Sequence, residues 1–489
     1  MKPFKLLRKD LTKVARQLPD FPEIGPIYLV GGSLRDRIIN RRSHDYDFAV
    51  GEDAKAFAEK VAAKLGVRVI QMGKEDKAVY RVVSGDNVLD FSPIRGKTIR
   101  EDLKTRDFTI NGLGFDLSSE TLIDPVGGLD DIKSRTIRLI SEDAILSDPL
   151  RMLRAFRLAA VLGFEIAPQT LSLIKDHAGL VIQSAGERIR AELFGMAEAD
   201  RSFSHLKQMS EAGLLTKLIP ELEPCFDCPS DDHGHNIFEH LMRTYEEMEI
   251  LLVEYPSIWP EYAELIRSYL DQGNRKVLLR WAALFHDLGK PATRSIDATG
   301  RLRYLTHEEK GGAIAGSLCM RLRMSGQERS YIELIVGNHL HPLHLFDSHQ
   351  RGSLTKKGLV RFVRKYEDDV IGLLVHSMAD QRAKDGHSIE QREAFTVFLK
   401  EILDKYFTDL KPFMRAPRLI TGKDLIEHFG LTPSELFGKL LRKVEDARLN
   451  REIRTREEAL EFVARLLEME GDAGIEPATP SSGGLCSIR

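Results

Sequence analysis

A chain of 489 residues cannot close around one core, because single cores stop growing near about 250–300 residues, so three or four domains are expected. Hydrophobic residues at 42% and charged residues at 30%, with 37 Gly and 20 Pro, exclude fibrous and disordered classes. The 71 Lys and Arg nearly balance 74 Asp and Glu, for a net charge of -3, so any contact with nucleic acid must come from local basic patches.

Residues 1–140 mix strand-like runs (Ile27 to Val30, Asp45 to Val50, Val88 to Phe91) with short helical stretches and frequent glycines, an α/β unit. From 141 to 218 the pattern turns helical: Leu150, Leu153 and Phe156 recur at helical spacing, and Glu187 to Ala197 keeps the same period. Few strand signals follow. The stretch Pro220 to His235 is dense in breakers and reads as a linker opening a second helical region, 219–410. A smaller helical module spans 411–470, and 471–489 lacks periodicity and should be a disordered tail. Four cysteines, at 225, 228, 319 and 486, cannot frame a disulfide scaffold and fit a reducing compartment. The charged start and the lack of any run of 18 apolar residues point to a cytoplasmic protein that neither is secreted nor spans a membrane.

Two stretches of the first 160 residues carry chemistry. Ile27 to Val30 runs into Gly31-Gly32-Ser33 and a helix expected to begin near Leu34, a turn that aims backbone N–H groups and Arg35 at an anion. Asp45-Tyr46-Asp47 follows on a strand, where residues two apart share a face; two adjacent carboxylates repel unless a cation lies between them, which invites Mg²⁺. Tyr46, Phe48 and Val50 then take the opposite, packed face. Later, Asp148-Pro-Leu-Arg151-Met-Leu-Arg154-Ala-Phe-Arg157 sets three arginines on an arc of about 120° of one helix. Asp148 and Arg151 can together read a base edge: the carboxylate accepts from the exocyclic amine of C or A, and the guanidinium donates to the ring acceptor. G and U present the reverse polarity. Arg154 and Arg157 would face a triphosphate or an RNA 3′ end.

At Val30-Gly-Gly-Ser-Leu-Arg-Asp36, Asp45-Tyr-Asp47 and Arg106-Asp-Phe-Thr-Ile-Asn111 the sequence resembles the class II tRNA nucleotidyltransferase and bacterial poly(A) polymerase family, over roughly residues 25 to 220. The resemblance implies an α+β fold: a DNA-polymerase-β-like head with a mixed sheet, then all-α neck, HD and C-terminal domains. It implies that Asp45 and Asp47 bind the catalytic Mg²⁺ ions and that Gly32, Arg35 and Arg106 contact the nucleotide. Thr105 stands where the family usually has a first arginine. A third carboxylate would be Asp90 or Asp107. The family's E-D-x-x-R motif, which selects CTP and ATP without a template, reads Ser147-Asp148-Pro149-Leu150-Arg151 here, without its leading glutamate.

A helix ending in His286-Asp287 and stopped by Gly289-Lys290-Pro291 resembles the signature of HD phosphohydrolases. The resemblance completes the set with His240 upstream and Asp380 downstream, and His307 and His339 match the positions added when a second metal is bound. His341 and His344 leave the assignment near His339 open. Imidazole with carboxylate suits transition ions such as Mn²⁺, Ni²⁺, Co²⁺ or Zn²⁺, and a pair of them can activate hydroxide against a phosphoester. Cys225-x-x-Cys228 with His233 and His235 offers a zinc set, although the spacing is short for one.

The expected enzyme adds C, A or both to a tRNA 3′ end from CTP and ATP. Lys439, Arg442, Lys443, Arg448, Arg451, Arg454 and Arg456 of the last module could grip tRNA phosphates. The rivals are a poly(A) polymerase and an HD phosphohydrolase with a non-catalytic RNA-binding head; the intact Asp45-x-Asp47 with Arg106 argues against a dead head. Full CCA-adding members carry a flexible loop before an E-D-L segment, whereas only Gly96 to Arg100 separate Asp90 to Arg95 from Glu101-Asp-Leu103. Five residues span at most about 18 Å, too little to fold over a nucleotide. A partial, CC-adding or A-adding enzyme is therefore expected, with a second nucleotidyltransferase completing the end.

Overall fold

A computed structural model describes residues 26–51, 53–73, 78–230, 235–386, 388–449 and 452–471. His233, Arg451, the charged start and all but the first residue of the expected tail lie outside these residues. The described chain forms two compact units, one taking residues up to Leu354 with Asp368–Leu399, the other Thr355–Glu367 with the residues from Lys400 onward.

The first unit opens with a seven-stranded mixed sheet: β1 (Ile27–Val30), β2 (Asp45–Val50), β3 (Val69–Met72), β4 (Val79–Ser84), β5 (Asn87–Pro93), β6 (Gly114–Asp116) and β7 (Thr121–Ile123), in the order β3-β4-β5-β2-β1-β6-β7. Only β2 and β5 run parallel. The central strands are apolar because both faces are covered: Leu29, Val30, Phe48, Ala49 and Val50 are buried. Helix α1 (Gly31–Ile38) leaves β1 without a loop. It therefore begins three residues earlier than expected, because Gly31 takes a φ of 71° that turns the chain at once, and Ser33 Oγ donates to the Val30 carbonyl. Helix α2 (Ala54–Leu65) is capped by Asp53 and stopped by Gly66. It brings Phe57 within 5.2 Å of Phe91, ring to ring, and Phe91 stacks on Phe48 at the same distance. That aromatic packing claims one face of β2 and β5. Asp45, Asp47 and Asp90 are left on the other.

After the short α3 (Ile99–Lys104) the unit is largely helical. Helix α4 (Arg151–Leu162) buries Met152, Leu153, Phe156 and Ala159 and packs on α5 (Gly186–Ala197). Beyond them come α6 (Ile237–Ile258), α7 (Arg275–Phe285), a hairpin of β8 (Arg294–Ile296) and β9 (Leu302–Tyr304), then α8 (His307–Arg321), α9 (Gly326–Val336) and α10 (Val370–Ala383). Helix α7 is buried along its length from Val277 to Phe285 because α6, α9 and α10 all pack against it. The stretch read as a linker is packed instead: Pro220–Cys225 forms a helical turn, and Leu222, Cys225 and Cys228 are buried. Its prolines set turns, while these three apolar side chains give it a core face.

In the second unit, α11 (Gly422–Phe429), α12 (Glu435–Leu449) and α13 (Arg456–Gly471) close over Ile420, Leu425, Leu440, Val444, Ala447 and Val463. A Thr421–Asp424 capping box starts α11 and Gly430, at φ 65°, ends it. The architecture is α+β, with a mixed-sheet head and a largely helical body. No described helix is long and apolar enough to cross a membrane.

Candidate active sites

The parallel register of β2 and β5 sets Asp47 directly beside Asp90, with Asp45 one pleat along. Asp47 is held by its backbone N–H, which donates to Ser33 Oγ at 3.2 Å. Burial pushes its carboxyl up from the usual carboxylate range; Arg106 pulls it back, and Asp90 and Asp45 add to the rise. Three carboxylates thus share one face of one strand pair, and the rise at Asp47 despite Arg106 is the condition a divalent cation relieves. Asp90 is itself gripped by Arg81 through two bonds of 2.8 and 2.7 Å. Asp45 stands at the exposed start of the strand.

A cleft of about 410 Å³ opens beside this face and is lined by Gly31, Gly32, Arg35, Asp47, Asp90, Arg95, Arg106, Asp107, Arg151, Arg154 and Arg157. Its closest approach is at Gly31, where a Cβ would come 3.0 Å from Arg106 Nη1 and 3.3 Å from Asp47 Oδ2. With its φ of 71° as well, Gly31 is the turn position where a side chain would be strained and would crowd Arg106 and Asp47. Arg106 is steadied by Asp102, 3.0 Å away.

A continuous chain of bonds ties this head to the neck. Arg35 donates to Asn111 Oδ1 at 2.6 Å, Asn111 Nδ2 to Asp107 Oδ1 at 2.9 Å, and Arg154 Nη1 to Asp107 Oδ2 at 3.1 Å. Arg154 Nε and Arg157 Nε then share Glu192, at 3.1 and 2.5 Å. Burial opposes the Asp107 charge, yet Arg154, Asn111 and the Phe108 N–H hold its carboxyl below the usual range. Arg154 and Arg157 face the cleft already paired with carboxylates. Asn111 and Glu192 were missed because their partners lie 76 and 38 residues away in the chain.

The side chains of Asp148 and Arg151 do not bond each other, although the Arg151 backbone N–H donates to the Asp148 carbonyl at 3.0 Å. Asp148 pairs with Arg188 at 2.7 Å, and Arg151 donates to the Ala144 carbonyl and to Ser147 Oγ at 3.3 and 3.4 Å. Arg151 lines the cleft, and Ser147 occupies the place of the family glutamate with a hydroxyl that supports the arginine.

The second cluster assembles inside the helical body. His240 comes from α6, His286 and Asp287 from the end of α7, His307 from the start of α8, His339 from just past α9 and Asp380 from α10; all are buried. His240 Nε2 lies 3.2 Å from His286 Nε2 and 3.0 Å from Asp380 Oδ1. Asp287 turns one oxygen to each side: Oδ2 is 3.4 Å from His286 Nε2, and Oδ1 is 3.3 and 3.6 Å from the Nε2 atoms of His307 and His339. Two ligand groups result, His240–His286–Asp287 and Asp287–His307–His339, with His339 rather than His341 or His344 in the second. The Nδ1 atoms of His286, His307 and His339 donate to the carbonyls of Ala283, Tyr304 and Val336, which fixes each tautomer with Nε2 facing inward. Inward lone pairs this close, with Asp287 Oδ1 and His307 Nε2 lacking a hydrogen bond, fit metal coordination.

Sequence reading missed three residues here. Lys290 sits 3.0 Å from Asp287 Oδ2 and Lys384 2.9 Å from Asp380 Oδ2; they help hold both carboxyls well below their usual range against burial. His376, on α10, is fully buried beside His286. Cys225 Sγ contacts the Glu221 carbonyl and Cys228 Sγ contacts Tyr304 Oη, while His235 bonds Glu239 and Asp385, so these three do not converge on one point.

Four family models match the chain: "Poly A polymerase head domain" over 27–138, "Probable RNA and SrmB- binding site of polymerase A" over 163–226, "HD domain" over 237–366, and a tRNA nucleotidyltransferase domain 2 over 357–464. The chain is 31% identical over 462 residues to the A-adding tRNA nucleotidyltransferase of Deinococcus radiodurans, covering 93% of this chain and 98% of that one. It is 29% identical over 452 residues to the CC-adding tRNA nucleotidyltransferase of Thermus thermophilus, covering 91% and 95%. Among solved structures, the CCA-adding enzyme of Thermotoga maritima complexed with tRNA superposes with a TM-score of 0.59 at 21% identity, over 90% of this chain and 91% of that one, a likeness of fold.

Proposed function

The chain belongs to the tRNA nucleotidyltransferase family, and from that premise we propose that its head and neck transfer a nucleotide from CTP or ATP to a tRNA 3′ hydroxyl, releasing pyrophosphate without a template. The observation that carries this reading is the in-register Asp47 and Asp90 beside Asp45, facing Gly31 and Arg106 across the cleft. Asp45 and Asp47 would hold Mg²⁺, with Asp90 rather than Asp107 as the third carboxylate, because the β2–β5 register sets Asp90 directly beside Asp47 on the same face. Bound there, divalent ions lower the pKa of the attacking hydroxyl and stabilise the leaving oxygens. Arg106, steadied by Asp102, orients the nucleotide over the glycine turn. Arg35, bonded to Asn111 and Asp36, shapes that turn, and Gly32 keeps its backbone open to the ligand. Arg151, with Asp148 swung from Arg188, reads the base, while Arg154 and Arg157 present N–H groups to the triphosphate.

The product is a partial CCA end, either CC or the terminal A. The segment that would have to reposition the base is short and tied down: Arg95 N–H donates to Asp102 at 3.0 Å, Lys97 N–H to Glu101 at 2.6 Å, and Thr98 caps α3. So braced, it cannot swing over the nucleotide. A second nucleotidyltransferase would complete the end.

The remaining parts follow the same plan: head 1–140, neck 141–218, HD domain 219–410 and a tRNA-gripping module 411–470. In that module Lys439, Arg442, Lys443 and Arg454 are exposed, whereas Arg456 pairs with Asp424 and Arg448 bonds the Pro417 carbonyl. The HD cluster would hold Mn²⁺, Ni²⁺, Co²⁺ or Zn²⁺ on His240, His286, Asp287, His307, His339 and Asp380 and hydrolyse phosphoesters. The enzyme works in the cytoplasm.

The test offers tRNAs ending at the discriminator base, after C and after CC, each with CTP, ATP or both. Addition confined to CC or to A supports the reading; complete CCA made from the discriminator base by this protein alone overturns the partial activity, and no addition to any substrate overturns the whole.

A further inference from the structure

His376 is one turn before Asp380 on α10, a helix buried throughout this stretch. Its ring is fully buried, and neither nitrogen has a hydrogen bond of good geometry. Such a pair of orphaned polar atoms carries a desolvation cost, and a buried imidazole without partners calls for an explanation. The site supplies one. The centroid of the His376 ring stands 5.2 Å from that of His286 and 6.0 Å from that of His339. Among the rings already assigned to the cluster, the corresponding separations are 5.1 Å for His240 and His286, 4.9 Å for His286 and His339, and 5.3 Å for His307 and His339. His376 thus stands about as near to His286 as His240 does, within the spacing of neighbouring rings in this cluster. Positions i and i+4 on a helix lie on one face, the spacing by which one helix delivers two ligands to one ion.

We infer that His376 is a further ligand of this centre, joining His240, His286 and Asp380 on one ion, while Asp287 bridges to the ion held by His307 and His339. The inference rests on reading the cluster as a metal centre. Unlike His286, His307 and His339, its Nδ1 has no carbonyl bond of good geometry to set its tautomer, although the Ala282 carbonyl exerts some pull.

The test uses the full chain carrying Asp45→Ala and Asp47→Ala, so that the head does not compete for metal. The protein is stripped with a chelator, labelled with ¹⁵N-histidine and titrated with Zn²⁺, and the ring nitrogens that shift to metal-bound positions are counted. Five imidazoles are expected, from His240, His286, His307, His339 and His376. A count of four that is unchanged by His376→Gln overturns the inference and leaves the metal centre standing. A count of zero, with Zn²⁺ uptake unaffected by His286→Ala, overturns the metal centre and the inference together. Zn²⁺ affinity, read by competition with a chromophoric chelator, should fall at least about tenfold in His376→Gln and His376→Leu, and should be unchanged in His344→Leu, an exposed histidine outside the cluster. Equal affinity in all four proteins also sinks the idea. The count on the protein with His376 intact decides the matter even where a variant fails to fold.

Discussion

A double-mutant cycle at Asp107 and Arg154 tests whether the head and neck work as one site. Asp107 is 8% exposed and its Oδ2 accepts from Arg154 Nη1 at 3.1 Å, while Oδ1 accepts from the Phe108 N–H and Asn111 Nδ2 at 2.8 and 2.9 Å. A hydrogen bond between charged groups contributes about 1.5–3 kcal/mol. Because the Arg154 side chain is 31% exposed, solvent screening moves this pair to the lower part of the range, about 1.5–2 kcal/mol. Asp107→Ala also strands the Asn111 amide and loosens the link to Arg35. We expect kcat/KM for the nucleotide to fall roughly 10- to 30-fold in Arg154→Ala and at least as much in Asp107→Ala, at about 1.4 kcal/mol per decade. The double variant should be only a few-fold worse than the poorer single one, giving a coupling of about 1.5–2 kcal/mol. The assay is incorporation of labelled CTP or ATP into truncated tRNA at varied nucleotide concentration. Costs that simply add, with coupling below about 0.5 kcal/mol, would refute the claim that Arg154 is held for catalysis by Asp107.

Asp45→Ala or Asp47→Ala should abolish incorporation and spare any hydrolysis of phosphoesters, and retained incorporation would remove these carboxylates from the chemistry. Conversely, His286→Ala with Asp287→Ala should stop hydrolysis without stopping addition, as read with a chromogenic phosphoester in the presence of Mn²⁺, Ni²⁺, Co²⁺ or Zn²⁺. Arg151→Ala should relax the preference for CTP and ATP over GTP and UTP by about 1–3 kcal/mol, and unchanged discrimination in competition assays would exclude it from base reading. In the second unit, Arg456 and Thr421 hold the Asp424 carboxyl below its usual range, so its contribution is present above the unfolded carboxylate pKa of about 3.9 and is lost as pH falls through and below that value. The difference in Tm between the wild type and Asp424→Asn should therefore be largest at pH 7 and begin to narrow as the pH falls below about 4; a pH-independent difference would place its role elsewhere.

The parts legible in the sequence are those whose geometry is set by near neighbours. Strand alternation alone puts Asp45 and Asp47 on one face, opposite Tyr46 and Phe48, and the helical period puts Arg151, Arg154 and Arg157 on one side of α4. The strand-to-helix turn at Gly31-Gly32 and the His286-Asp287 pair at the end of α7 are likewise local. Tertiary structure decided what depends on register and packing between distant segments. The parallel pairing of β2 with β5 selects Asp90 as the neighbour of Asp47, a choice that the spacing in sequence leaves open. Glu192 and Asp107 meet the arginines of α4 only because α4 packs on α5 and against the head. His376 is one of fifteen histidines, and its place four residues before Asp380 gains meaning only because α10 is buried against α6 and α7. The local rules act through backbone dihedrals and side-chain periods over a few residues, whereas these contacts form only when hydrophobic faces far apart in the chain are buried together.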